Sequence, residues 1–532
     1  SDGDGVGDNG DAYPEDATRQ SLEIEKALAA IVDEGLLACI ENHSDGLAFA
    51  NELRSLGCGE QIESLEGLEN FPGLEELNFW DHNFTDIQPL AGLSNLSRLD
   101  ISWGREVLAD IGPLKALKQL KQVSLRGLPI TDFTVLGELG LLEHLDLYRT
   151  QINDIEPVKA LKKLRYLNLG DTSLSEIPDL RQLQSLEELD FSNNAPLDLA
   201  RLVARIPLTI KRLNLHRTGL KEVSELGALK MLEHLNLSNN DIQIVELVDL
   251  PELSNLELWD NSIVEFKIVS VPKLGRLYVG NNNLSDLTTL TNLTSLSQIV
   301  LNENKISDIT SLSELRNLGR IELQDNQVED ISPLSELKSI YEVNLERNRI
   351  SVIGNTFADY NNANILMSGN PLLCETLDNI PNLIPASNKF QFNGTCGNDT
   401  DGDGVPDDLD AFLNDPAASI DSDRDGDPDD WNAGYSAAQS TQDLVVDTDD
   451  DNDGVADGQD AFPLDPTETS DSDGDGVGDN SDAAPNGPAV QYLALGEALA
   501  GIADDALRSC VENQSRGLES AGDLTSLDCS YR

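Results

Sequence analysis

"LEHLNLSNNDI", residues 232–242, and "LGRIELQDNQVEDISPL", residues 318–334, share one phrase: L-x-x-L-x-L-x-x-N. A leucine or another apolar residue opens it at 74, 96, 120, 142, 164, 186, 210, 232, 253, 274, 296, 318 and 340. The steps are 21 to 24 residues, mostly 22. Weaker copies flank the run, at Leu53 with Leu56 and Cys58 and at Asn362 with Ile365, Met367 and Asn370. Recurrence in register marks an array of one small structural unit. In L-x-L, alternate side chains face opposite ways, so each copy predicts a short strand with its leucines in a core. No copy can bury its apolar side alone, so stability is summed over stacked neighbours. The asparagines Asn240, Asn261, Asn282, Asn304, Asn326, Asn348 and Asn370 stand where the chain leaves each strand. Their amides are suited to backbone groups of adjacent turns that are otherwise buried unpaired.

This is the leucine-rich repeat pattern, and the expected fold is an α/β solenoid. The return segments "DIQPL", "DIGPL", "DIEPV" and "DISPL" are bulkier than strands, which puts the parallel sheet on the inside of a curve. The ends of such a stack need caps. Residues 21–58 supply a helical N-terminal cap, the repeats run over 53–370, and 371–398 close the other end. The cysteines fall into three local pairs: Cys39 with Cys58, Cys374 with Cys396, and Cys510 with Cys529. None has the C-x-x-C spacing of soft metal sites, so three disulfides in an oxidising compartment are expected. The cap layout and the "xDIxPLxxL" return segment resemble bacterial internalin-like surface proteins over about residues 21–398. That resemblance implies an extracellular or cell-surface, ligand-binding role.

The chain of 532 residues has a formal charge of −60, from 96 acids against 36 bases. That balance excludes nucleic acid and anionic membrane as general partners, since both need a basic face. No run of eighteen apolar residues offers direct membrane insertion.

Residues 399–485 hold 28 acids and one base, Arg424. Four windows, starting at Asp399, Asp421, Asp449 and Asp471, read D-x-D-x-D-G-x-x-D-x-x-[DN]. Positions 1, 3, 5, 9 and 12 offer oxygens in the order of a calcium loop, with glycine at the tight turn. The candidate ligands are Asp399, Asp401, Asp403, Asp407 and Asp410; Asp421, Asp423, Asp425, Asp429 and Asn432; Asp449, Asp451, Asp453, Asp457 and Asp460; and Asp471, Asp473, Asp475, Asp479 and Asp482. Position 12 is never the long Glu of an EF-hand, and proline-bearing linkers such as "AFPLDPTETS" preclude flanking helices. The segment resembles thrombospondin type 3 repeats, which wind around calcium with little apolar core. Dockerin-like loops are disfavoured by the same lack of helices.

"SDGDGVGDN" occurs at Ser1 and again at Ser472, and a shift of 471 aligns roughly half of residues 1–60 with identical partners. Asp2, Asp4, Asp8 and Asp11 then read as the end of a calcium repeat over 1–20, and 486–532 as the N-terminal cap of a second leucine-rich unit. The expectation is one period of a longer array.

The x columns of the repeat face solvent on the sheet. They collect Trp80, Trp103, Arg126, His144, Tyr148, Arg149, Tyr166, Arg212, His216, Arg217, His234, Trp259 and Tyr278. Aromatic residues and arginine are the residue types of binding hot spots, and in so acidic a chain they predict a basic, aromatic ligand patch. Two longer repeats, 96–119 and 186–209, are expected to raise loops beside it. The histidines lie in separate repeats without a paired nucleophile, so no enzyme is expected. Two functions fit: recognition or adhesion of a protein or glycan on the concave sheet, with the calcium segment as a stiff spacer, or self-association as the subunit of a surface fibre.

Overall fold

The computed structural model describes residues 22–481, apart from 60, 105–107, 153, 173, 175–177, 195, 395, 433 and 473–477. The chain divides into two units, Ser1–Asn370 with Asn379–Gly394 and Pro371–Asp378 with Thr395–Arg532.

In the first unit, each leucine phrase forms a strand of three to five residues. The strands pair in sequence order into a parallel sheet of sixteen. The register keeps one leucine-type column continuous: Leu56, Leu77, Leu99, Val123, Leu145 and Leu167 are direct partners across adjacent strands. That column is buried at 1% exposure or less, which is what a shared core between turns requires. The sheet also gains a strand outside the repeat phrase, Lys389–Gln391, paired with Asn364–Leu366.

Most return segments are short 3₁₀ turns, such as Gln88–Gly92 and Ser332–Glu336. The aspartate of "DIxPL" starts each one. Asp86, Asp110, Asp154 and Asp330 accept the N–H two residues on, at 2.7 to 2.9 Å. A proline then fits the first turn, where its missing N–H costs nothing. Two consecutive repeats depart from this. Ile244–Val248 and Glu265–Val269 form a separate parallel pair, each alternating exposed and buried. Their sequences "IVELV" and "EFKIV" are rich in β-branched residues, which favour strands. A strand also advances further per residue than a 3₁₀ turn, which suits the shorter 21-residue steps here.

The helix Glu34–His43 opens the stack, its N-terminus capped by Asp33. The same Asp33 carboxylate accepts from Glu63 N–H at 2.8 Å and Ser64 N–H at 3.2 Å, which ties the cap to the turn beneath it. Cys39 and Cys58 are disulfide-bonded, with Cα atoms 5.8 Å apart.

The second unit holds the Cys374–Cys396 disulfide and the acidic loops. Two linkers fold alike. Asp415 N–H bonds Phe412 C=O and Ala411 N–H bonds Ser419 C=O. Asp465 and Ala461 repeat both contacts, on Phe462 and Thr469. Phe412, Ala417 and Ala418 are buried. Asp415 is fully buried as well, and its carboxylate accepts from Ser440 Oγ at 2.5 Å and from the N–H groups of Thr441 and Gln442 at 2.9 Å.

Candidate functional site

The solvent face of the large sheet resolves into columns. The first runs Glu76, Arg98, Gln122, His144, Tyr166, Glu188, Arg212, His234, each the direct partner of the next. The second runs Asn78, Asp100, Ser124, Asp146, Asn168, Asp190, Asn214, Asn236 in the same register. Its side chains curl back on their own strand ends. Asp100, Asp146, Asn168, Asp190 and Asn214 accept the N–H two residues on, at 2.8 to 3.1 Å. This acidic and amide column was legible in the sequence as the x of L-x-L, yet the aromatic residues drew the reading away from it.

Beyond it the chain turns sharply. Asp81, Trp103, Arg149, Asp171, Asn193, Arg217, Asn239, Asp260 and Asn281 all have φ between 50° and 59°. Trp103, Arg149 and Arg217 therefore stand on a left-handed turn at the strand exit, not on the strand itself. Asn and Asp tolerate that conformation, whereas a bulky side chain there is an outlier.

The aromatic rings are seated on glycines of the neighbouring turn. A Cβ built at Gly59 would fall 2.0 Å from the Trp80 ring, one at Gly280 2.1 Å from Trp259, one at Gly127 2.7 Å from Trp103, and one at Gly170 2.9 Å from Tyr148. Only glycine lets the ring lie there. Trp80 and Trp103 remain 51% and 43% exposed. Arg126 lies over both Trp103 and Tyr148, with its guanidinium carbon 5.6 and 5.3 Å from the ring centroids. His144 and Tyr166 stack at 3.9 Å, and Trp259 stacks on Tyr278 at 6.0 Å.

The arginines do not form one basic patch. Arg126 Nε is 3.7 Å from Asp146 and Arg149 Nε is 3.8 Å from Asp171. Among the described residues Arg212 and Arg217 have no ion-pair partner. Arg212 borders two shallow cavities, of about 260 and 230 Å³. His144 and Tyr166 line the first; Asp190, His234 and Glu257 line the second. Burial holds His144 and His234 below the ordinary imidazole range, with Arg98 and Arg212 adding to it respectively. Burial raises the Asp146 carboxyl.

The longer repeat 186–209 places its extra residues on the return side as the helix Leu199–Val203, packed beside the turn Ser224–Ala228. This corrects the expectation of a raised loop: Leu199, Leu202 and Ile206 are buried, so the insertion joins the core. The tip of the 96–119 insertion, 105–107, lies outside the described residues.

In the acidic loops, positions 1, 3 and 5 converge. One carboxylate oxygen each from Asp399, Asp401 and Asp403 lie within 4.8 Å of one another, as do those of Asp421, Asp423 and Asp425, and of Asp449, Asp451 and Asp453. Position 9 does another job. Asp407, Asp429, Asp457 and Asp479 each accept the N–H of position 2, at 2.7 to 2.9 Å. Each also donates its own N–H to the carbonyl just before the loop. Position 12 of one loop reaches back to the preceding ligand set: Asn432 Nδ2 donates to Asp403 Oδ2 at 2.7 Å. Asp410 is pushed up to about 6 by burial and by Asp403, Asp401 and Asp399. Buried oxygens of Asp401, Asp449, Asp451 and Asp460 lack any hydrogen-bond partner. Such orphaned acceptors among like charges are what a hard cation would satisfy. Asp2, Asp4, Asp8, Asp11, Asp473, Asp475, Asp482, Cys510 and Cys529 lie outside the described residues.

Residues 141–182 match the family described as Leucine Rich repeats (2 copies). No curated protein matches the chain. Among solved structures, the leucine-rich repeat protein LIC12759 of Leptospira interrogans is 22% identical, with a TM-score of 0.55 over 65% of this chain and 90% of that one. An internalin, InlF, of Listeria monocytogenes is 21% identical, with a TM-score of 0.45 over 69% of this chain and 98% of that one. The functional domain of InlJ from the same organism, which includes a cysteine ladder, is 16% identical, with a TM-score of 0.44 over 66% and 82%. The likeness to LIC12759 is one of fold and agrees with the stacked parallel strands: the first unit is a leucine-rich repeat solenoid. No helix among the described residues is long and apolar enough to cross a membrane.

Proposed function

We propose that this chain is an extracellular recognition or adhesion protein that holds its ligand on the face of the leucine-rich sheet. The observation that carries the reading is Trp103. It takes a left-handed backbone, at φ 59°, where Asp, Asn or Gly stands in most other turns, and leaves 43% of its surface exposed. Folding alone disfavours a bulky residue there by about 1–2 kcal/mol, and such outliers cluster at functional sites. Tyr148 and Arg126 flank it, and Asp146 lies beside Arg126. The disulfides support an oxidising, extracellular setting. The test is adhesion of the purified protein to host or neighbouring-cell surfaces. Trp103→Ala combined with Arg217→Glu is expected to weaken it with little change in thermal unfolding. Undiminished adhesion refutes the site.

Calcium is the cofactor this reading assigns to residues 399–485. Asp399, Asp401, Asp403 and Asp410 would hold one ion, and Asp449, Asp451, Asp453 and Asp460 another. Bound calcium neutralises carboxylates that otherwise repel. The residues themselves supply pre-shaped loops, closed by the bond between positions 2 and 9. Shorter Asp in place of Glu at position 12 points to the weaker, extracellular range of affinity, about 10⁻⁴–10⁻³ M. Calorimetric titration of calcium into EDTA-stripped protein tests this, and the absence of heat up to several millimolar calcium overturns it.

A further inference from the structure

We infer that the face takes a neutral glycan chain, its sugar rings stacked on Trp103 and Trp259. This deepens the reading of the sheet as the ligand site and rests on it. Four observations lead there. First, the rings are seated against Gly127 and Gly280, where a Cβ would collide with them. A ring seated on glycine loses little side-chain entropy when a ligand covers its outer face, and a flat apolar platform matches the C–H face of a sugar. Second, between the platforms stand fixed acceptors and donors. Asp100 and Asp190 are each locked by a backbone N–H, and Arg212 has no ion-pair partner among the described residues. Hydroxyl groups can both donate to the carboxylates and accept from the guanidinium.

Third, charged ligands fit poorly. The place for a cation between Trp103 and Tyr148 is filled by Arg126, itself beside Asp146. An anion at Arg212 would meet Glu188, Asp190 and Glu257 around the same cavity. Fourth, the two cavities are shallow and lined mostly by polar and charged groups, unlike the apolar, desolvated pockets that seat protein hot spots. Strands repeat about every 4.8 Å, close to the width of one sugar ring, so an extended chain can run across successive repeats in step with them.

The experiment uses the full chain against an array of neutral glycans spanning hexose, pentose and N-acetylhexosamine polymers, with heparin and polygalacturonate as anionic controls. Binding is followed by tryptophan fluorescence. At least one neutral polymer is expected to bind and the anionic ones to fail. Trp103→Ala and Trp259→Ala should each weaken binding about tenfold or more, equivalent to about 1.4 kcal/mol, whereas Trp103→Phe retains most of it. Silence from every neutral glycan overturns the inference. Cell-surface adhesion that resists periodate oxidation of the surface, yet is still lost in Trp103→Ala, means a protein ligand on the same face; the glycan then falls while the site stands. Glycan binding untouched by either alanine variant overturns both.

Discussion

Replacing Asn304 by leucine, which keeps the branched side-chain framework but ends it in bulkier methyl groups, removes the hydrogen bonds of one rung of the asparagine ladder. Asn304 is 9% exposed. Its Nδ2 donates to the carbonyls of Val279 at 2.9 Å and of Leu301 and Asn302 at 3.1 Å, and its Oδ1 accepts from Leu284 N–H at 2.9 Å. The carbonyls are doubly served. Val279 C=O also receives Asn282, Leu301 C=O receives Asn326, and Asn302 C=O receives the Asn281 N–H. The Leu284 N–H has Asn304 alone. One buried donor is thus orphaned, at about 1–3 kcal/mol, and the three carbonyls add little. In a stack this long each kcal/mol moves the melting point by about 2 °C or less, so the expected drop is at most roughly 2–6 °C. Hydrogen exchange identifies the cause: the Leu284 amide should lose protection by far more than its neighbours. An unchanged midpoint together with a still-protected Leu284 amide would refute the argument, since the asparagine would then be solvated and dispensable.

Arg217→Asn should relieve its left-handed turn and stabilise the protein by roughly 0.5–1 kcal/mol while weakening adhesion; a lower midpoint in urea counts against strain at this position. His82 is buried at 1% exposure, stacked on Phe84, with Asp81 beside it. Burial holds its pKa below the ordinary value, so the unfolded chain binds more protons as pH falls through about 6.5, and stability must fall with it. His82→Gln should flatten the loss of urea midpoint between about pH 7.5 and 5.5, and an unaltered slope would clear His82 of the effect. Non-reducing peptide mapping should recover Cys39–Cys58 and Cys374–Cys396, and losing the first through Cys39→Ser with Cys58→Ser should cost roughly 3 kcal/mol. EDTA should turn residues 399–485 protease-sensitive and leave the leucine-rich unit intact, and Asp403→Ala with Asp453→Ala should reproduce much of that change; identical digests with and without calcium would leave only a solvated tether.

The strands were legible because a shared core forces a strict period, and every phrase from 74 to 340 formed one. Lys389–Gln391 was not, since a terminal strand with one neighbour is released from the leucine frame. The strands Ile244–Val248 and Glu265–Val269 were visible as alternation but hidden by a pattern that weights only the sheet side. On the face, residue types were legible and partners were not. Nothing in sequence distance says that Arg126 meets Asp146 or that Trp259 needs Gly280, because those contacts cross repeats of unequal length. In the acidic loops, spacing located positions 1, 3 and 5, whereas the use of position 9 as a staple depends on backbone geometry that a ligand pattern does not encode.

The asparagine ladder runs through only the later turns of the solenoid, which leaves the earlier turns to other ties. From Asn240 to Asn370 each turn is linked to the one before by a buried asparagine, as Asn240 links Leu215, Thr218 and Leu220. Earlier, the ladder position holds His82, Gly104, Leu128, Thr150, Thr172 and Thr218, with only Asn194 in the later style. Thr150 reaches just Leu147 in its own turn. There the ties are those of the open face: Arg98 to Gln122 at 2.6 Å, Ser102 to Ser124 at 2.8 Å, Asn214 to Asp190 at 2.8 Å, and rings on glycines, contacts that continue into the later turns as Asn281 to Asp260 at 2.7 Å and Trp259 on Gly280. A side chain that bridges two turns on the surface is both held rigid and left exposed, the condition for recognition without a large ordering cost. Ligand stacked along the face from Trp103 to Trp259 should therefore stiffen residues 76–280 more than 296–370. Hydrogen exchange with and without ligand would read this directly, and equal protection gains in both stretches would show that the face does not carry the binding energy.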